Sequence, residues 1–510
     1  MAQTYLLGID AGTSLIKSTL YDDSGTKIAT TSAKVPVHSP HAGWSEQDMD
    51  ETWHGVVTTI KDLLEQTAIN PADIAVVCPA GQGDGAWMID ADGGPVRPAP
   101  LWNDGRAADI VAAWEASGVI EAAFKPGGTA IWTGTAAGVL AWLKQHEPEN
   151  YRRVDKVLFC KDWIKYNLTG VICTDQTDGS IPFLDVATQQ YDPEQLARLG
   201  LSEILPKLAD IVPAHDIAGH VTEAVATLTG LAAGTPVISG MMDVNANAIG
   251  VGAIKAGQSF TILGTTGINC SVLDQPVFEP PNIGASACHT VPGHWIRLLG
   301  SMAGTPNLDW YLRNMGHDPE TLDFGEIERQ VTDIPAGCGG VIFHPYLQGE
   351  RAPFLNASAT GSFFGATATT TSAHMIRAVY EGVAFSVKHC YSLMGVPDEV
   401  FLAGGGAQSP LWSQMIADML NCTVTIPAGA QFGTLGAAMT GGVGVGIFDS
   451  FDDAVQTCVR VERRYDPDPQ TVAIYDALFP LYTDLITRMD GFWRQRRAFL
   501  HSLATEQVTR

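Results

Sequence analysis

Residues 5–14 have the sequence YLLGIDAGTS, and this stretch decides which fold we expect. Its apolar run predicts a buried strand that ends at the carboxylate of Asp10, followed by a tight turn of small and hydroxyl residues. Strand-like residues return at 15–21, so the stretch predicts a hairpin. Phosphate-binding loops of the Walker and Rossmann types run directly into a helix, which excludes both motifs here.

A second stretch with the same pattern lies near the middle of the chain. Residues 259–263 are strand-like and lead into the turn Gly264-Thr265-Thr266-Gly267. The recurrence indicates a duplicated fold, and we place the boundary between two domains, 1–245 and 246–510. Helical patterns alternate with strand-like runs through the first half, which is typical of α/β layers. The helices are expected at 49–67, 105–117 and 136–146, and the strands at 74–78, 157–159 and 235–240.

The second half carries start signals for two helices. Ser372 is expected to cap the first, and Ser409-Pro410 is a strong start signal for the second. Between them, 399–403 predicts a strand that leads into GGGA at 404–407. The glycine-rich run 433–448 is too short to span a membrane and predicts a buried, closely packed helix.

The composition bounds the classes of function. The chain has 510 residues, enough for about two domains. Thirty basic against 55 acidic residues give a formal net charge of −25, which disfavours nucleic acid and anionic membranes as partners. Nine cysteines without a C-x-x-C pair, and histidines without zinc-type spacing, indicate reduced thiols and no zinc site. With no targeting segment visible, we expect a cytoplasmic protein.

The turn after Asp10 is a candidate phosphate site. Small residues let backbone N–H groups approach a phosphate, and a carboxylate at a strand end can hold Mg²⁺. An ordinary hairpin with a capping aspartate has the same pattern, so both interpretations stay open at this point. The turn at 264–267 has the same chemistry, and the two turns together suggest two domains that grip one polyphosphate.

Two further segments with chemical potential follow strands. Asp243 comes after the strand at 235–240, where it can serve as a general base, although local sequence alone favours a cap for the next helix. Gly404–Ser409 lies between a strand and a helix, where the backbone can approach a flat ring or phosphates; a tight βα turn is an equal alternative. The segment is not G-x-G-x-x-G, which disfavours a dinucleotide site.

Two segments pair polar groups with tryptophan. They are Gln82–Trp87 and Leu101–Arg106. Sugars are bound by amides and carboxylates that take the hydroxyl groups and by aromatic rings that stack on C–H faces. Two surface turns with partly buried tryptophans are the commoner explanation of such composition.

Together and in this order, these segments resemble the FGGY carbohydrate kinases of the sugar kinase, actin and heat-shock ATPase superfamily. The resemblance covers nearly the whole chain and implies an α/β fold of two ribonuclease H-like domains, of the actin/hexokinase type, around an interdomain cleft. The matching segments are GIDAGTS at 8–14, GWSEQD at 43–48, WNDGR at 102–106, LGTTG at 263–267, PYLQGERAP at 345–353, GSFFG at 361–365, YEG at 380–382 and the stretch 402–420.

The resemblance also implies a role for individual residues. It places the catalytic base at Asp243, which reverses the capping interpretation there, and the Mg²⁺-associated acid at Asp10. The implied ATP contacts are Thr13, Ser14, Lys17, Gly264, Thr265, Thr266, Gly404, Gly405, Ala407 and Ser409. The implied sugar contacts are Gln82, Asp84, Trp102, Asn103, Asp104 and Asp243.

The implied activity is phosphorylation of a small-molecule sugar, with ATP and Mg²⁺ as cofactors and a homodimer as the suggested assembly. D-xylulose kinases have Met-His where this chain has Gly83-Asp84, and tend to have Asn where it has Val244. Segments 131–134 and 142–148 resemble L-xylulose kinases more. We expect phosphorylation of the terminal hydroxyl of a five-carbon ketose, most similar to xylulose.

Two alternatives stay open. An acid after the glutamine also occurs in glycerol- and erythritol-type kinases, where it holds a hydroxyl, so a polyol kinase is the main rival. The other alternative is a member of the superfamily that binds ATP and sugar without turnover.

Overall fold

The structure is a computed structural model that describes residues 4–508. Contacts divide the chain into two compact units. The first comprises the described residues up to Ala256 together with Val272–Ile296 and Gln431–Arg460; the second comprises Gly257–Ser271, Arg297–Ala430 and the described residues from Val461 onwards. The division at 245/246 into two functional domains stays a prediction.

The core of the first unit is a sheet with strand order β13-β14-β5-β1-β2-β3, with β15 also paired to β5. The predicted hairpin is confirmed, because β1 and β2 pair antiparallel and place Asp10 opposite Lys17. The strands up to residue 242 are β1 (Tyr5–Ala11), β2 (Leu15–Asp22), β3 (Lys27–Lys34), β4 (Glu46–Gln47), β5 (Ile74–Gly81), β6 (Trp87–Ile89), β7 (Ala99–Pro100), β8 (Lys156–Leu158), β9 (Cys173–Thr174), β10 (Leu184–Asp185), β11 (Gln190–Tyr191), β12 (Asp210–Ile211), β13 (Ile217–His220), β14 (Pro236–Ile238) and β15 (Met241–Met242).

The helices predicted in the first half are present. The helix expected at 105–117 begins only at Ala108, because an ion pair between Asp104 and Arg106 holds the preceding turn. The helices up to residue 251 are α1 (Met49–Thr67), α2 (Ala108–Ala116), α3 (Val119–Gly127), α4 (Ala136–His146), α5 (Pro148–Arg153), α6 (Cys160–Thr169), α7 (Gln176–Gly179), α8 (Pro193–Arg198), α9 (Glu223–Thr229) and α10 (Asp243–Val251).

The second large sheet has strand order β18-β19-β17-β16-β22-β23-β24. Its strand β16 pairs antiparallel with β17 and parallel with β22, just as β1 pairs antiparallel with β2 and parallel with β5. The remaining strands are β16 (Gln258–Leu263), β17 (Gly267–Leu273), β18 (Ala285–Cys288), β19 (Trp295–Ser301), β20 (Ile342–His344), β21 (Ser362–Phe364), β22 (Glu399–Ala403), β23 (Thr423–Pro427) and β24 (Val461–Tyr465).

The two sheets also match in the two strands that lie beyond β5 in the first sheet and beyond β22 in the second. Strand β14 pairs parallel with β5 and antiparallel with β13, and β23 pairs parallel with β22 and antiparallel with β24. The shared strand order and directions confirm the duplicated fold, which the sequence indicated only by two similar turns.

The helices of the second half show one corrected start. The expectation that Ser372 caps its helix is wrong: Thr371 occupies the cap position with extended backbone, and Ser372 is the first helical residue. The start at Ser409-Pro410 is confirmed. These helices are α11 (Pro306–Asn314), α12 (Phe324–Thr332), α13 (Ser372–Met394), α14 (Pro410–Leu420), α15 (Phe432–Gly444), α16 (Phe451–Cys458) and α17 (Pro469–Val508).

Helix α15 is buried and closely packed, as its glycines predicted. A Cβ atom on Gly436 would lie 1.8 Å from the carbonyl oxygen of Ala246 in α10, and one on Gly8 in β1 would lie 2.0 Å from that of Thr434. Such contacts leave no room for side chains, so glycine brings these backbones together. Within residues 4–508, no helix is long and apolar enough to cross a membrane.

Candidate active site

Three predicted site residues of the first unit stand at one edge of its sheet. Asp10 is near the carboxyl end of β1, Gln82 follows β5, and Asp243 follows β15. Strands β1 and β15 pair parallel with opposite sides of β5, so the carboxyl ends of all three strands lie at the same edge of the sheet. Ligands of open α/β sheets bind at such an edge, which makes it the candidate site of this unit.

Asp243 opens helix α10 and is partly exposed. The capping interpretation from local sequence is wrong, because Met242 holds the cap position and no side chain caps this helix. Burial, with the nearby charge of Asp10, raises the pKa of Asp243 to about 7. A carboxyl group with such a pKa takes up and releases protons near neutral pH, as a general base requires.

Asp10 faces both Lys17 and the start of helix α15. Burial raises the pKa of Asp10, and the charge of Lys17 on the neighbouring strand partly offsets this. A Cβ on Gly433 would lie 2.6 Å from Oδ2 of Asp10, so only glycine fits there. This single, partly exposed carboxylate suits Mg²⁺, which takes one or two carboxylates plus water and phosphate oxygens. The described part of the chain holds no group of three acidic, histidine or cysteine side chains arranged for a metal.

Thr13 joins the phosphate turn to the predicted sugar contacts. Its Oγ1 donates to Oε1 of Gln82 at 3.0 Å and accepts from Nε1 of Trp102, also at 3.0 Å. Gln82 in turn donates to Oε1 of Gln47 at 2.7 Å, and Gln47 donates to the carbonyl oxygen of Thr13. The hydroxyl predicted to contact phosphate therefore already orients two of the side chains predicted to contact sugar.

Ser14, the remaining residue of this turn, is exposed. Its carbonyl oxygen accepts from the N–H of Val35, so its backbone is fixed to the end of β3. Ser14 takes no part in the hydrogen bonds that join Thr13 to Gln82 and Trp102.

Asp84 is buried with one carboxylate oxygen engaged. Its φ of 62° lies in the left-handed region, and its Oδ1 accepts from the N–H of Ala136 at 2.8 Å, at the start of α4. Its Oδ2 has no hydrogen-bond partner among the described residues. Burial raises the pKa of Asp84 well above its usual range. The open oxygen is what a sugar hydroxyl would need, at a site only 4% exposed.

The WNDGR segment divides into an exposed and a buried half. Asn103 is exposed, whereas Asp104 is fully buried. Both Asp104 oxygens are occupied: Oδ2 accepts from the N–H of Ser45 at 2.7 Å, and Oδ1 accepts from Nε of Arg106, also at 2.7 Å. Arg106 also pairs with Glu46. The structure thus gives Asp104 a role in holding two loops together, and a sugar contact would have to share its oxygens.

In the second unit, the predicted ATP residues follow adjacent parallel strands. The turn 264–266 follows β16, and Gly404 follows β22. Gly264 has open space on its Cβ side and Thr265 is exposed, so the backbone of this turn is accessible. Gly404 has a φ of 89°, and a Cβ there would lie 2.6 Å from the carbonyl oxygen of Leu263, so the two turns are in contact.

A cavity of about 460 Å³ lies beside the second of these turns, within the usual range of small-molecule sites. Gly405 and Ser409 line it, whereas Ala407 is buried. Oγ of Ser409 accepts from the N–H of Trp412 and caps α14, so its hydroxyl has a structural use as well. Other lining residues, which sequence patterns did not single out, include Thr305, Asp309, Arg313, Gln408 and Trp412.

Gly433 is the main site residue that the sequence interpretation missed in the first unit. The sequence predicts only a packed helix at this residue, and its position against Asp10 depends on the packing of α15 on β1. The glycines at the start of that helix indicate close packing, but they do not show that Asp10 is the residue packed against Gly433.

Residues 5–250 match the N-terminal domain, and residues 259–445 the C-terminal domain, of the FGGY family of carbohydrate kinases. The chain is 33% identical to a probable L-xylulose kinase of Pasteurella multocida, covering 95% of this chain and 99% of that protein. It is 30% identical to the erythritol kinase of Brucella abortus, covering 96% and 97%. The crystal structure of a gluconate kinase from Lactobacillus acidophilus matches with a TM-score of 0.91 and 26% identity, covering 97% and 99%. The predicted resemblance is confirmed, and the chain belongs to the FGGY family of carbohydrate kinases, enzymes that transfer phosphate from ATP to a sugar.

Proposed function

We propose that this carbohydrate kinase phosphorylates the terminal hydroxyl of a xylulose-like ketopentose, with Asp243 as the general base. The observation that carries the proposal is the position of Asp243. It lies at the carboxyl edge of the sheet, where its strand β15 and the strand β1 that bears Asp10 flank β5, and its pKa is raised to about 7. A base with this pKa is about half ionised at neutral pH, and its ionised form can accept a proton from an alcohol in the transition state.

The proposed step is a direct in-line transfer. The oxygen of the sugar hydroxyl forms a bond to the γ-phosphorus of ATP, and the bond from that phosphorus to the β–γ bridging oxygen breaks. The hydroxyl proton passes to a carboxylate oxygen of Asp243, and the leaving group is ADP. Exclusion of water during this step prevents transfer to water instead of sugar.

We propose Asp10 as the residue that holds Mg²⁺. The metal would neutralise charge that develops on the phosphate oxygens. Lys17 opposite Asp10, and the backbone of the turn after it, would help to bind the phosphates. Ser14 and the hydroxyls of Thr265 and Thr266 are further proposed phosphate contacts. The cavity beside Gly405 and Ser409 is the proposed nucleoside site, with Gly404 and Ala407 shaping its floor.

The sugar is proposed to contact Gln82, Asp84, Trp102, Asn103 and Asp243. Gln82 and Trp102 are oriented by Thr13, and Asp84 offers one unoccupied oxygen. Asp104 is proposed to act through the loop that it holds. The similarity to a probable L-xylulose kinase favours a pentulose, and the comparable identity to an erythritol kinase keeps a polyol as the second candidate.

Asp243→Asn tests the role of the base. The change preserves size and hydrogen bonding and removes the proton acceptor, so we expect kcat to fall by about 10²–10⁴-fold. KM for ATP should stay close to that of the wild type. Near-normal turnover by a folded Asp243→Asn enzyme would refute the proposal.

The substrate is tested by ADP release with MgATP and a panel of L-xylulose, D-xylulose, D- and L-ribulose, erythritol, glycerol and gluconate. We expect kcat/KM for one xylulose to exceed that for the other compounds by about 100-fold, which corresponds to roughly 2.7 kcal/mol. A preference for erythritol would replace the pentulose, with Asp84 as the residue to examine. The wild-type assay also tests turnover itself, because ADP release must depend on the sugar.

A homodimer and a cytoplasmic location are also proposed. The nine cysteines, all within residues 4–508, are free and buried, which suits a reducing compartment. Light scattering of the purified chain would test the dimer.

A further inference from the structure

A cluster of buried charges lies in the first unit beneath the carboxyl edge of its sheet. Lys161 and Lys165 extend from helix α6, and both side chains have no solvent exposure. Nζ of Lys161 is 2.6 Å from Oδ1 of Asp162, 2.9 Å from Oδ1 of Asp175 and 2.9 Å from Oδ2 of Asp178. Nζ of Lys165 is 3.0 Å from the same oxygen of Asp162. Burying two lysines and three aspartates carries a large desolvation cost, which their mutual ion pairs offset only in part. Such a cluster is therefore weak evidence for stability alone, and its further contacts show what else it supports.

The cluster holds the segment that leads to Asp243 at both of its ends. At the first end, Nζ of Lys165 donates to the carbonyl oxygen of Ser239 at 3.0 Å. At the second end, the N–H of Met242 donates to Oγ1 of Thr177 at 2.9 Å. The hydroxyl of Thr177 donates in turn to Oδ1 of Asp175 at 3.0 Å. A continuous path therefore runs from Lys161 through Asp175 and Thr177 to the backbone next to Asp243.

The same cluster lies under the turn that carries Gln82 and Asp84. A Cβ on Gly83 would lie 2.2 Å from Sδ of Met242 and 3.5 Å from Oδ1 of Asp178. That oxygen of Asp178 has no hydrogen-bond partner among the described residues. Glycine at 83 thus lets the side chain of Met242 and the carboxyl of Asp178 pack directly against the turn.

The charges of the cluster suit a rigid support. Burial, with the neighbouring charges of Asp175 and Asp162, raises the pKa of Asp178 to about 8, against the opposing effect of Lys161. Lys161 and Lys165 hold the pKa of Asp162 below its usual range in spite of burial.

We infer that Thr177, supported by Asp175 and Lys161, is a positioning residue for the catalytic base. It fixes the backbone of Met242 and thereby the direction in which the Asp243 carboxyl points. This inference rests on the proposed role of Asp243. A misplacement of the order of 1 Å at a reacting group can lower the rate by about 100-fold. Loss of one hydrogen bond that positions Asp243 is therefore expected to lower kcat.

Thr177→Val tests the inference, because valine keeps the shape and removes the hydroxyl. Its matched control is Thr229→Val. Thr229 is also buried, and its Oγ1 donates to the carbonyl oxygen of Val225 and accepts from the N–H of Leu231, at the end of α9. Each change removes one buried hydroxyl that bonds two backbone or side-chain groups, so the losses of thermal stability should be similar.

We expect Thr177→Val to lower kcat by about 10-fold or more, with KM for sugar and ATP within a factor of about 2 of the wild type. The acidic limb of its pH–rate profile should also shift, since a displaced Asp243 has a different environment. Thr229→Val should keep the wild-type kcat and profile, and Thr177→Ser, which retains the hydroxyl, should restore most of the activity.

Equal kcat values and equal pH profiles for the two valine variants would overturn the inference. If Thr177→Val does not fold, Thr177→Cys provides the same comparison at smaller amplitude, because a thiol is a weak acceptor. Asp243→Asn distinguishes failure of the positioning role of Thr177 from failure of the proposed base. If Asp243→Asn is inactive and Thr177→Val behaves like Thr229→Val, only the positioning role fails; if Asp243→Asn is active, the proposed base itself fails.

Discussion

The hairpins β1–β2 and β16–β17 occupy equivalent places in two sheets of the same topology. In the parallel register, Asp10 lies opposite Ala80 of the next strand, and Ile262 lies opposite Ala403. The equivalent positions thus hold a carboxylate in one sheet and an apolar side chain in the other. Strand pairing positions both hairpins in the same way, and only the first hairpin carries a carboxylate at this position, where we propose that it holds Mg²⁺.

The turns that follow β1 and β16 differ in how far their residues are engaged by other side chains. The hydroxyl of Thr13 is engaged by Gln82 and Trp102, whereas Thr265 is exposed and Gly264 has open space beside it. The first turn is thus built into a network of specific side chains, and the second offers accessible backbone. We expect substitutions in the first hairpin to affect the chemical step and the sugar, and those in the second to affect ATP.

The largest effect is expected from Asp10→Asn, which removes the acid that distinguishes the hairpins. If Asp10 holds Mg²⁺, kcat should fall by about 10²–10³-fold, because metal and phosphate lose charge stabilisation. The apparent Mg²⁺ requirement, measured by titration at saturating ATP, should rise. Asp22→Asn, at the far end of β2, is the control for loss of a charge and should remain active. An active Asp10→Asn enzyme with unchanged Mg²⁺ dependence would refute the proposal that Asp10 holds the metal and that this residue distinguishes the two hairpins.

The pH–rate profile tests whether the carboxyl groups of Asp10 and Asp243 are coupled. The pKa of Asp243 is about 7, so its basic form is lost as the pH falls below 7, and kcat should fall there about 10-fold per pH unit. The charge of Asp10 contributes to the raised pKa. The residual activity of Asp10→Asn should therefore have its acidic limb at a lower pH. A limb that does not move would show that the two carboxyl groups are not coupled.

Gly433→Ala is expected to have the next largest effect. The new methyl group would lie 2.6 Å from Oδ2 of Asp10, so the carboxylate must move. We expect kcat to fall by about 10–100-fold, in keeping with the sensitivity of rate to misplacement near 1 Å. Gly491→Ala, in α17 with open space around it, is the control and should match the wild type. Steady-state kinetics together with a thermal melt would separate displacement of Asp10 from unfolding.

Thr13→Ala should affect sugar binding more than ATP binding. It removes the hydrogen bonds to Gln82 and Trp102, each worth about 1 kcal/mol, so KM for the sugar should rise by up to about 30-fold. Thr13→Ser keeps the hydroxyl and should restore the wild-type value. A rise in KM for ATP alone would mean that Thr13 contacts phosphate, as the sequence comparison implied, and that its network with the sugar contacts has little effect.

The smallest effects are expected in the second hairpin. A Cβ on Gly264 meets no atom within 4 Å, so Gly264→Ala should fold normally. The methyl group would hinder the approach of phosphate to the backbone, and KM for ATP should rise by about 3–10-fold, or roughly 1 kcal/mol. KM for the sugar is the internal control and should not change. A loss of sugar binding in this variant would break the proposed division of work between the hairpins.

Much of the fold follows from local patterns. The alternation of apolar strands, tight turns and amphipathic helices predicted the β1–β2 hairpin, helix α1 over 49–67 and the start of α14 at Ser409-Pro410. Each of these depends on neighbours within one or two turns of chain. The misplaced starts at Ser372 and near residue 105 are boundary errors. At the second, ion pairs of Arg106 with its neighbour Asp104 and with the distant Glu46 hold the turn that precedes the helix.

The site was predictable where its residues end strands. Asp10, Gln82 and Asp243 each follow an apolar run, and parallel pairing brings such ends together. The local pattern at Asp243 favours a helix cap. Nothing nearby in sequence shows that its strand and the strand of Asp10 flank the same strand, β5. The contact of Gly433 with Asp10 and the bond of Thr177 to Met242 likewise have no local signal.

The repeat of strand and turn, the kinase family and the candidate residues are predictable from the amino-acid sequence, because each depends on short motifs in a set order. The tertiary structure alone decided which hydroxyl orients which ring, which carboxyl has a raised pKa and which glycine must remain glycine. These properties depend on distances between residues far apart in the chain, and on burial, which a linear pattern does not contain.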